Sequence, residues 1–157
     1  MMDDNYYMRL AIAVARVGIS KDNSPFGACI VSPDGDVWAC CHNEVFQTTD
    51  PTNHAEIVAI KKATQPHRYA FLKNCIIYST TEPCPMCFGA IHWARIKKIV
   101  YGTSLNIPAQ YGFNELNIYN KQLQEIGGSQ IEIISNVLED ECIQLFRDWK
   151  RCHGATY

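Results

Sequence analysis

The sequence predicts an α/β protein, a three-layer α/β/α sandwich around a five-stranded mixed sheet. Three observations carry that expectation. Two short apolar runs flank Pro33-Asp34-Gly35-Asp36, a hairpin signal. Strand-length and helix-length apolar segments then alternate, as in βαβ units. The chain has 157 residues, 47% hydrophobic and 19% charged, as expected of a single soluble domain large enough to bury a core.

The elements follow in order. Tyr7, Leu10, Ala11, Val14 and Val17 recur at helical spacing, so residues 3–18 read as an amphipathic helix ending at Gly18. Residues 26–32 and 37–41 are the antiparallel strands of the hairpin. Asp50-Pro51-Thr52 reads as the start of a second helix, with Asp50 as N-cap and Pro51 at its first position, running to about Ala63. Cys75-Ile76-Ile77-Tyr78-Ser79-Thr80 is a buried strand. Pro85 opens a helix to about Arg95, and residues 98–102 form the next strand. A looser stretch covers 103–128, a last strand lies near 131–134, and Leu138, Cys142, Leu145, Phe146 and Trp149 mark a final amphipathic helix. No linker, low-complexity segment or repeat interrupts residues 1–157, which are expected to form one domain.

Bulk chemistry narrows the function. With 14 Lys+Arg against 16 Asp+Glu the net charge is −2, which argues against nonspecific nucleic-acid binding through a basic surface. Arg95, Lys97 and Lys98 make the only dense basic cluster and read as a solvated face. Met1-Met2-Asp3-Asp4 lacks the basic and apolar regions of a secretory signal, and no stretch approaches the ~18 apolar residues of a membrane span. A cytoplasmic location is expected, and with it reduced thiols. Cys29, Cys40, Cys41 and Cys75 then read as small buried hydrophobes; Cys142 and Cys152 carry no motif.

His54-Ala55-Glu56 and Pro83-Cys84-Pro85-Met86-Cys87 carry the chemistry. One imidazole and two thiolates are three zinc ligands, and the fourth tetrahedral position stays open to water, as in a catalytic site. Glu56, two residues from His54, is placed to take a proton from that water and return it to a leaving amine. A structural zinc knot would close with a fourth Cys or His nearby, yet the next cysteines are Cys142 and Cys152. A thioredoxin-like redox pair gives His54 and Glu56 no role. Softness favours one zinc per chain, though not uniquely. The H-x-E…P-C-x-x-C arrangement resembles the signature of zinc-dependent nucleobase deaminases. Residues 54 and 56 lie about 200° apart around a helix, so they meet beyond its N-terminal end rather than on one side. Cys84 at the N-cap of the next helix and Cys87 in its first turn would meet them there. Two parallel strands, each followed by a helix, would bring both N-termini to one sheet edge, where the helix dipole favours thiolates.

The chain resembles the cytidine deaminase-like superfamily, and within it the bacterial guanine deaminases. The likeness runs through Ser24-Pro25-Phe26-Gly27-Ala28, His42-Asn43, Asp50-Pro51-Thr52, His54-Ala55-Glu56, Glu82-Pro83-Cys84-Pro85-Met86-Cys87 and Gly89-Ala90-Ile91-His92-Trp93-Ala94-Arg95. The metal motif belongs to the whole superfamily; Gly112-Phe113-Asn114-Glu115 and the terminal Tyr157 point to the guanine deaminases. The resemblance implies a cytidine deaminase-like fold and hydrolysis of guanine to xanthine and ammonia, a step of purine catabolism. It makes Glu115 a second catalytic carboxylate, although many relatives carry Asp at both positions held here by Asn114 and Glu115. It implies that Asn43, the backbone of Ala55, Phe26, Trp93 and Tyr157 contact the purine. It also implies a homodimer in which a C-terminal segment of about 136–157 closes the active site, exchanged between protomers in some relatives.

Other readings stay open. A tRNA adenosine deaminase shares the P-C-x-M-C core, but the Gly-Ala-Ala-Gly-Ser type segment of that family does not follow Tyr101-Gly102. Another aminated heterocycle or a nucleoside could replace guanine. A silent domain that keeps zinc only for stability would have no use for Glu56.

Overall fold

The computed structural model describes residues 3–66, 68–152 and 154–157. Met1 and Met2, on which part of the N-terminal reading rested, lie outside the described residues. The first helix, α1 (Asp4–Ile19), is capped by Asp3, whose carboxylate accepts from the amides of Asn5 and Tyr6. Its buried stripe is Tyr7, Met8, Ala11, Ile12, Ala15 and Ile19, whereas Val17 is exposed. The expected stripe through Leu10, Val14 and Val17 is therefore rotated about the axis, because α1 is apolar on more than one side and the sheet decides which side is covered. Gly18 does not end the helix. It lies within α1 against His42, and a Cβ there would sit 2.8 Å from the His42 side chain.

Five strands form one sheet in the order β2-β1-β3-β4-β5: β1 (Gly27–Val31), β2 (Val37–His42), β3 (Ile76–Thr81), β4 (Lys98–Thr103) and β5 (Glu132–Ile134). Strand β1 runs antiparallel to both β2 and β3, while β3, β4 and β5 are parallel, giving the mixed sheet expected. The remaining helices are α2 (Val45–Thr48), α3 (Ala55–Thr64), α4 (Pro85–Trp93), α5 (Asn106–Gln110), α6 (Asn120–Gly127) and α7 (Glu139–Arg151).

Strand side chains alternate between faces, and the two faces feed two cores. Ala28, Ile30, Ile77 and Ile99 pack with Val58, Ala59, Phe88 and Ile91 of α3 and α4. Cys29, Val31, Tyr78 and Val100 pack with Met8, Ile12, Leu145 and Phe146 of α1 and α7. The three layers are thus α1/α7, sheet, and α3/α4. Among the described residues no helix is long and apolar enough to cross a membrane.

Several local expectations are corrected. Asp50 caps a turn rather than a helix: its carboxylate accepts from the Thr52 amide at 2.8 Å and the Thr52 hydroxyl at 2.6 Å. Helix α3 begins only at Ala55, which makes His54 its N-cap. The stretch 103–128 contains α5 and α6. Neither begins on a usual N-cap residue, since Leu105 and Tyr119 occupy those positions, although at α6 the Gln122 side chain accepts from the Tyr119 amide at 2.9 Å, as in a capping box. Cys29 and Cys40 face each other across β1 and β2 with Cα atoms 4.1 Å apart and are joined as a disulfide, so they are not separate thiols. Cys41 and Cys75 are free and buried as expected.

Candidate active site

Strands β2 and β3 both oppose β1 and so point the same way, although β1 lies between them. The chain leaves both at one sheet edge, where α3 and α4 begin. His54 is the N-cap of α3 and Cys84 the N-cap of α4, each with extended backbone, and Pro85 takes the first helical position after Cys84. Neither cap side chain bonds its own helix, which leaves both free to face one point. Cys87 follows in the first turn of α4. Ligating atoms of His54, Cys84 and Cys87 all lie within 4.8 Å of one another, with His54 Nδ1 3.6 Å from Cys84 Sγ.

Glu56 is buried beside this triangle. Ser79 Oγ lies 3.0 Å from Glu56 Oε1, and Cys87 Sγ is 3.5 Å from Oε2. Burial, and then the Cys84 thiolate, push the Glu56 carboxyl above its ordinary range, against the pull of His54, its own backbone N–H and Ser79. The Cys87 thiol's hydrogen bond draws Cys84 down to about 4, helped by His54 and opposed by burial. Burial, with that same hydrogen bond, holds Cys87 well above its usual value. Burial alone would lower His54, but its contacts with the Cys84 thiolate, and the charges of Glu56 and Glu115, raise it. One thiolate, one thiol and an imidazole at this spacing suit a divalent cation that displaces the remaining proton. Two sulfurs and a nitrogen match zinc.

Glu115 reaches the site from the α5–α6 connection. Gly112 has φ +95°, a left-handed conformation that favours glycine, and the chain turns there. Phe113 is buried, with its ring centroid 5.1 Å from that of Phe26, 5.1 Å from Trp149 and 5.4 Å from Tyr157. Thus anchored, Glu115 lines the same cavity as His54, Glu56 and Cys84. Its carboxyl is raised to about 7, by burial first, then by the Cys84 thiolate and Glu56, with His54 opposing.

Phe26, Thr81, Glu82 and Tyr157 complete the lining. Tyr157 lines the cavity beside His54, its ring centroid 5.6 Å from that of His54, and its hydroxyl accepts from Asn43 Nδ2 at 2.6 Å. Asn43 Oδ1 in turn accepts from the Val45 amide at 3.1 Å. The cavity that remains is about 10 Å³, room for roughly one water. Ala55 is fully buried as the first residue of α3 and does not line the cavity. Trp93 stands apart: at the far end of α4 it is 79% exposed and forms no part of the cavity wall. Ser79, Thr81 and Glu82 were not foreseen. The alternation of β3 held the signal, since polar residues at the end of a buried strand need a reason to be there.

Comparison with known proteins defines the class. The model of the cytidine and deoxycytidylate deaminase zinc-binding region matches residues 1–103, and the chain belongs to that family, whose deaminases hydrolyse C–N bonds. Within it, the chain is 35% identical to the guanine deaminase of Bacillus subtilis (strain 168) over 150 residues, covering 95% of each chain. It is 37% identical over 100 residues to the tRNA-specific adenosine deaminase of Aquifex aeolicus (strain VF5), covering 64% of this chain and 66% of that one. The structure of the guanine deaminase from Nitrosomonas europaea superposes with a TM-score of 0.88 over 97% of this chain and 87% of that one; at 23% identity this is a likeness of fold.

Proposed function

We propose that this protein is a zinc-dependent guanine deaminase, converting guanine and water to xanthine and ammonia. The observation that carries this reading is the meeting of Glu115 with Glu56, His54 and Cys84 in one small cavity that Tyr157 also lines. A free base can be enclosed in this way. A flipped nucleotide continues into phosphodiester on both sides and needs an open, basic groove.

Zinc held by His54, Cys84 and Cys87 would supply the Lewis acid that makes water nucleophilic near neutral pH. Glu56 takes the first proton of the water as it adds to the amine-bearing ring carbon and passes it to the neighbouring ring nitrogen; it then takes the proton of the hydroxyl left on that carbon and gives it to the amine, which departs as ammonia as the carbonyl forms. Glu115, with a pKa of about 7, is suited to exchange a proton at that amine. The Ala55 amide belongs to the first turn of α3, whose N–H groups lack partners within the helix; as Ala55 does not line the closed cavity, its amide would receive a polar edge of the base only once the cavity opens. Asn43, held by Val45 and Tyr157, would turn its Nδ2 to the purine once Tyr157 withdraws, and Phe26, which lines the cavity, would cover the face of the base. A cavity of about 10 Å³ is far below the ~300 Å³ at which small-molecule pockets begin. Tyr157, at the end of the C-terminal segment of about 136–157, must therefore withdraw for entry and return to exclude water, while α7 stays packed in the core.

The same reading includes a homodimer. Met86, Gly89, Ala90 and Trp93 lie at helical spacing along α4, and Met86 and Trp93 are exposed. A second copy seated there would cover Trp93, and exchange of the C-terminal segment between copies would preserve its contacts. Light scattering should give a dimer mass that Trp93→Glu lowers to the monomer.

The functional test is ammonia release by zinc-loaded protein from guanine, guanosine, adenine, cytosine, cytidine and a tRNA anticodon stem-loop. Turnover of free guanine well above the others is expected; turnover only of the stem-loop would replace guanine with tRNA adenosine.

A further inference from the structure

Glu82 is almost fully buried, and among the described residues no ion pair compensates it. Its two oxygens are instead taken by two backbone amides far apart in the chain. Oε1 accepts from the Asn120 amide at 2.7 Å, and Oε2 accepts from the Leu105 amide at 3.3 Å. These residues stand at the two ends of one excursion: Leu105 is the N-cap of α5, and Asn120 is the first residue of α6. The stretch between them carries Gly112, Phe113 and Glu115, so this one carboxylate meets the chain at both ends of the excursion.

The geometry points to Glu82 as the positioning residue for Glu115. A buried carboxylate without a cation is costly to keep, so its retention calls for a property an amide lacks. That property is two acceptor oxygens: a glutamine offers one, and its NH₂ group faces the second amide as another donor. Holding both ends of the excursion narrows the positions Glu115 can take. The same brace reaches the metal ligands. Glu82 lies two residues before Cys84, its own amide donates to Thr103 O at 2.7 Å, and Asn120 Nδ2 donates to Pro83 O at 2.5 Å. The excursion is therefore referenced directly to the loop carrying Cys84, so that Glu115 and the ligand triangle keep their relative position. This role rests on the reading of Glu115 as a catalytic carboxylate.

The test uses Glu82→Gln, Glu115→Gln and the double variant in the zinc-loaded full chain. Hydrogen exchange of the backbone amides reads the brace without reference to activity. In E82Q the amide of Leu105 or Asn120, and those of residues 106–119, should exchange at least ~10-fold faster, while β3 and α4 keep their protection. Zinc per chain should be unchanged. Turnover of guanine should fall by up to about 10²-fold through misplacement alone. The double variant should be no slower than E115Q, because the brace acts through Glu115. Unchanged exchange at both amides, loss of zinc in step with activity, or losses that multiply in the double variant would each overturn the assignment. If the wild type turns over a different base, the guanine reading fails, the exchange arm still decides the brace, and the cycle is run on that base. Should E82Q not fold, Glu82→Asp serves in its place: it keeps two acceptors but is too short to span both amides, and the same outcomes apply.

Discussion

Glu56→Gln separates proton transfer from metal binding and folding. Glutamine keeps the shape of the side chain and the Ser79 contact at 3.0 Å, and gives up one acceptor, the oxygen 3.5 Å from Cys87 Sγ. A hydrogen bond of that kind is worth about 0.5–1.5 kcal/mol. Against this loss, a carboxyl whose pKa burial has raised is already poorly accommodated as an anion, so neutralising it returns some stability. The two effects nearly offset, leaving a change of about 1 kcal/mol or less, or roughly 2–4 °C in Tm for a chain of this size. Turnover responds differently. A positioned general acid–base contributes about 10²–10⁴-fold, equivalent to about 3–5 kcal/mol of activation free energy. A thermal melt of the metal-free protein, in which Cys87 keeps its proton, checks the stability change; zinc analysis and ammonia release under saturating guanine check the other two quantities on the zinc-loaded protein. A folded, zinc-loaded E56Q variant within threefold of wild type would refute the proton-shuttle role.

Three further outcomes are expected. Removing metal with a strong chelator should abolish turnover, with recovery on adding zinc, and Cys84→Ala should prevent that recovery; activity surviving complete chelation would exclude the metal role. In metal-free protein, Glu115 has a folded pKa of about 7, above its ordinary value of 4.5. Its stabilising contribution is therefore complete below about 4.5 and lost as pH rises through 7. The Tm of wild type minus that of Glu115→Gln should fall across that window, and a flat difference would contradict the burial of this carboxyl. Phe113→Ala removes a buried ring in contact with Phe26, Trp149 and Tyr157 and should cost about 3–5 kcal/mol in urea unfolding. A loss under 1 kcal/mol would mean that the ring does not anchor the turn before Glu115.

Much of this protein is legible in its residues. The hairpin about Pro33-Asp34-Gly35-Asp36, the parallel strands and α7 follow from local signals, because turn chemistry and apolar periodicity act over a few residues. Local signals misled where a residue has two uses. Asp50-Pro51-Thr52 has the composition of a helix start, yet the Asp50 carboxylate closes a turn and the helix begins four residues beyond Pro51, at Ala55. Gly18 has the composition of a helix stop, yet it is required by the close approach of His42. Helices α5 and α6 begin on Leu105 and Tyr119, which are not usual N-cap residues, and the amides of Leu105 and Asn120 are met by Glu82 from far away in sequence. Trp93 reads as an aromatic wall, but its position at the far end of α4 takes it to the surface.

By itself the sequence determined the chemistry: an imidazole, two thiols and a carboxylate at spacings that two helix N-termini can present together. That much is local, since an N-cap side chain is free of its own helix and points beyond its end. Tertiary structure decided what the chemistry can act upon. Strand β1 sets β2 and β3 in the same direction, which brings the two N-termini to one edge. Tyr157, packed on Phe113, lines the cavity at that edge, and Glu82 ties the excursion that carries Glu115 to it. These relations join residues dozens to more than a hundred positions apart, and a sequence read locally carries no information about which distant partners will satisfy a buried group.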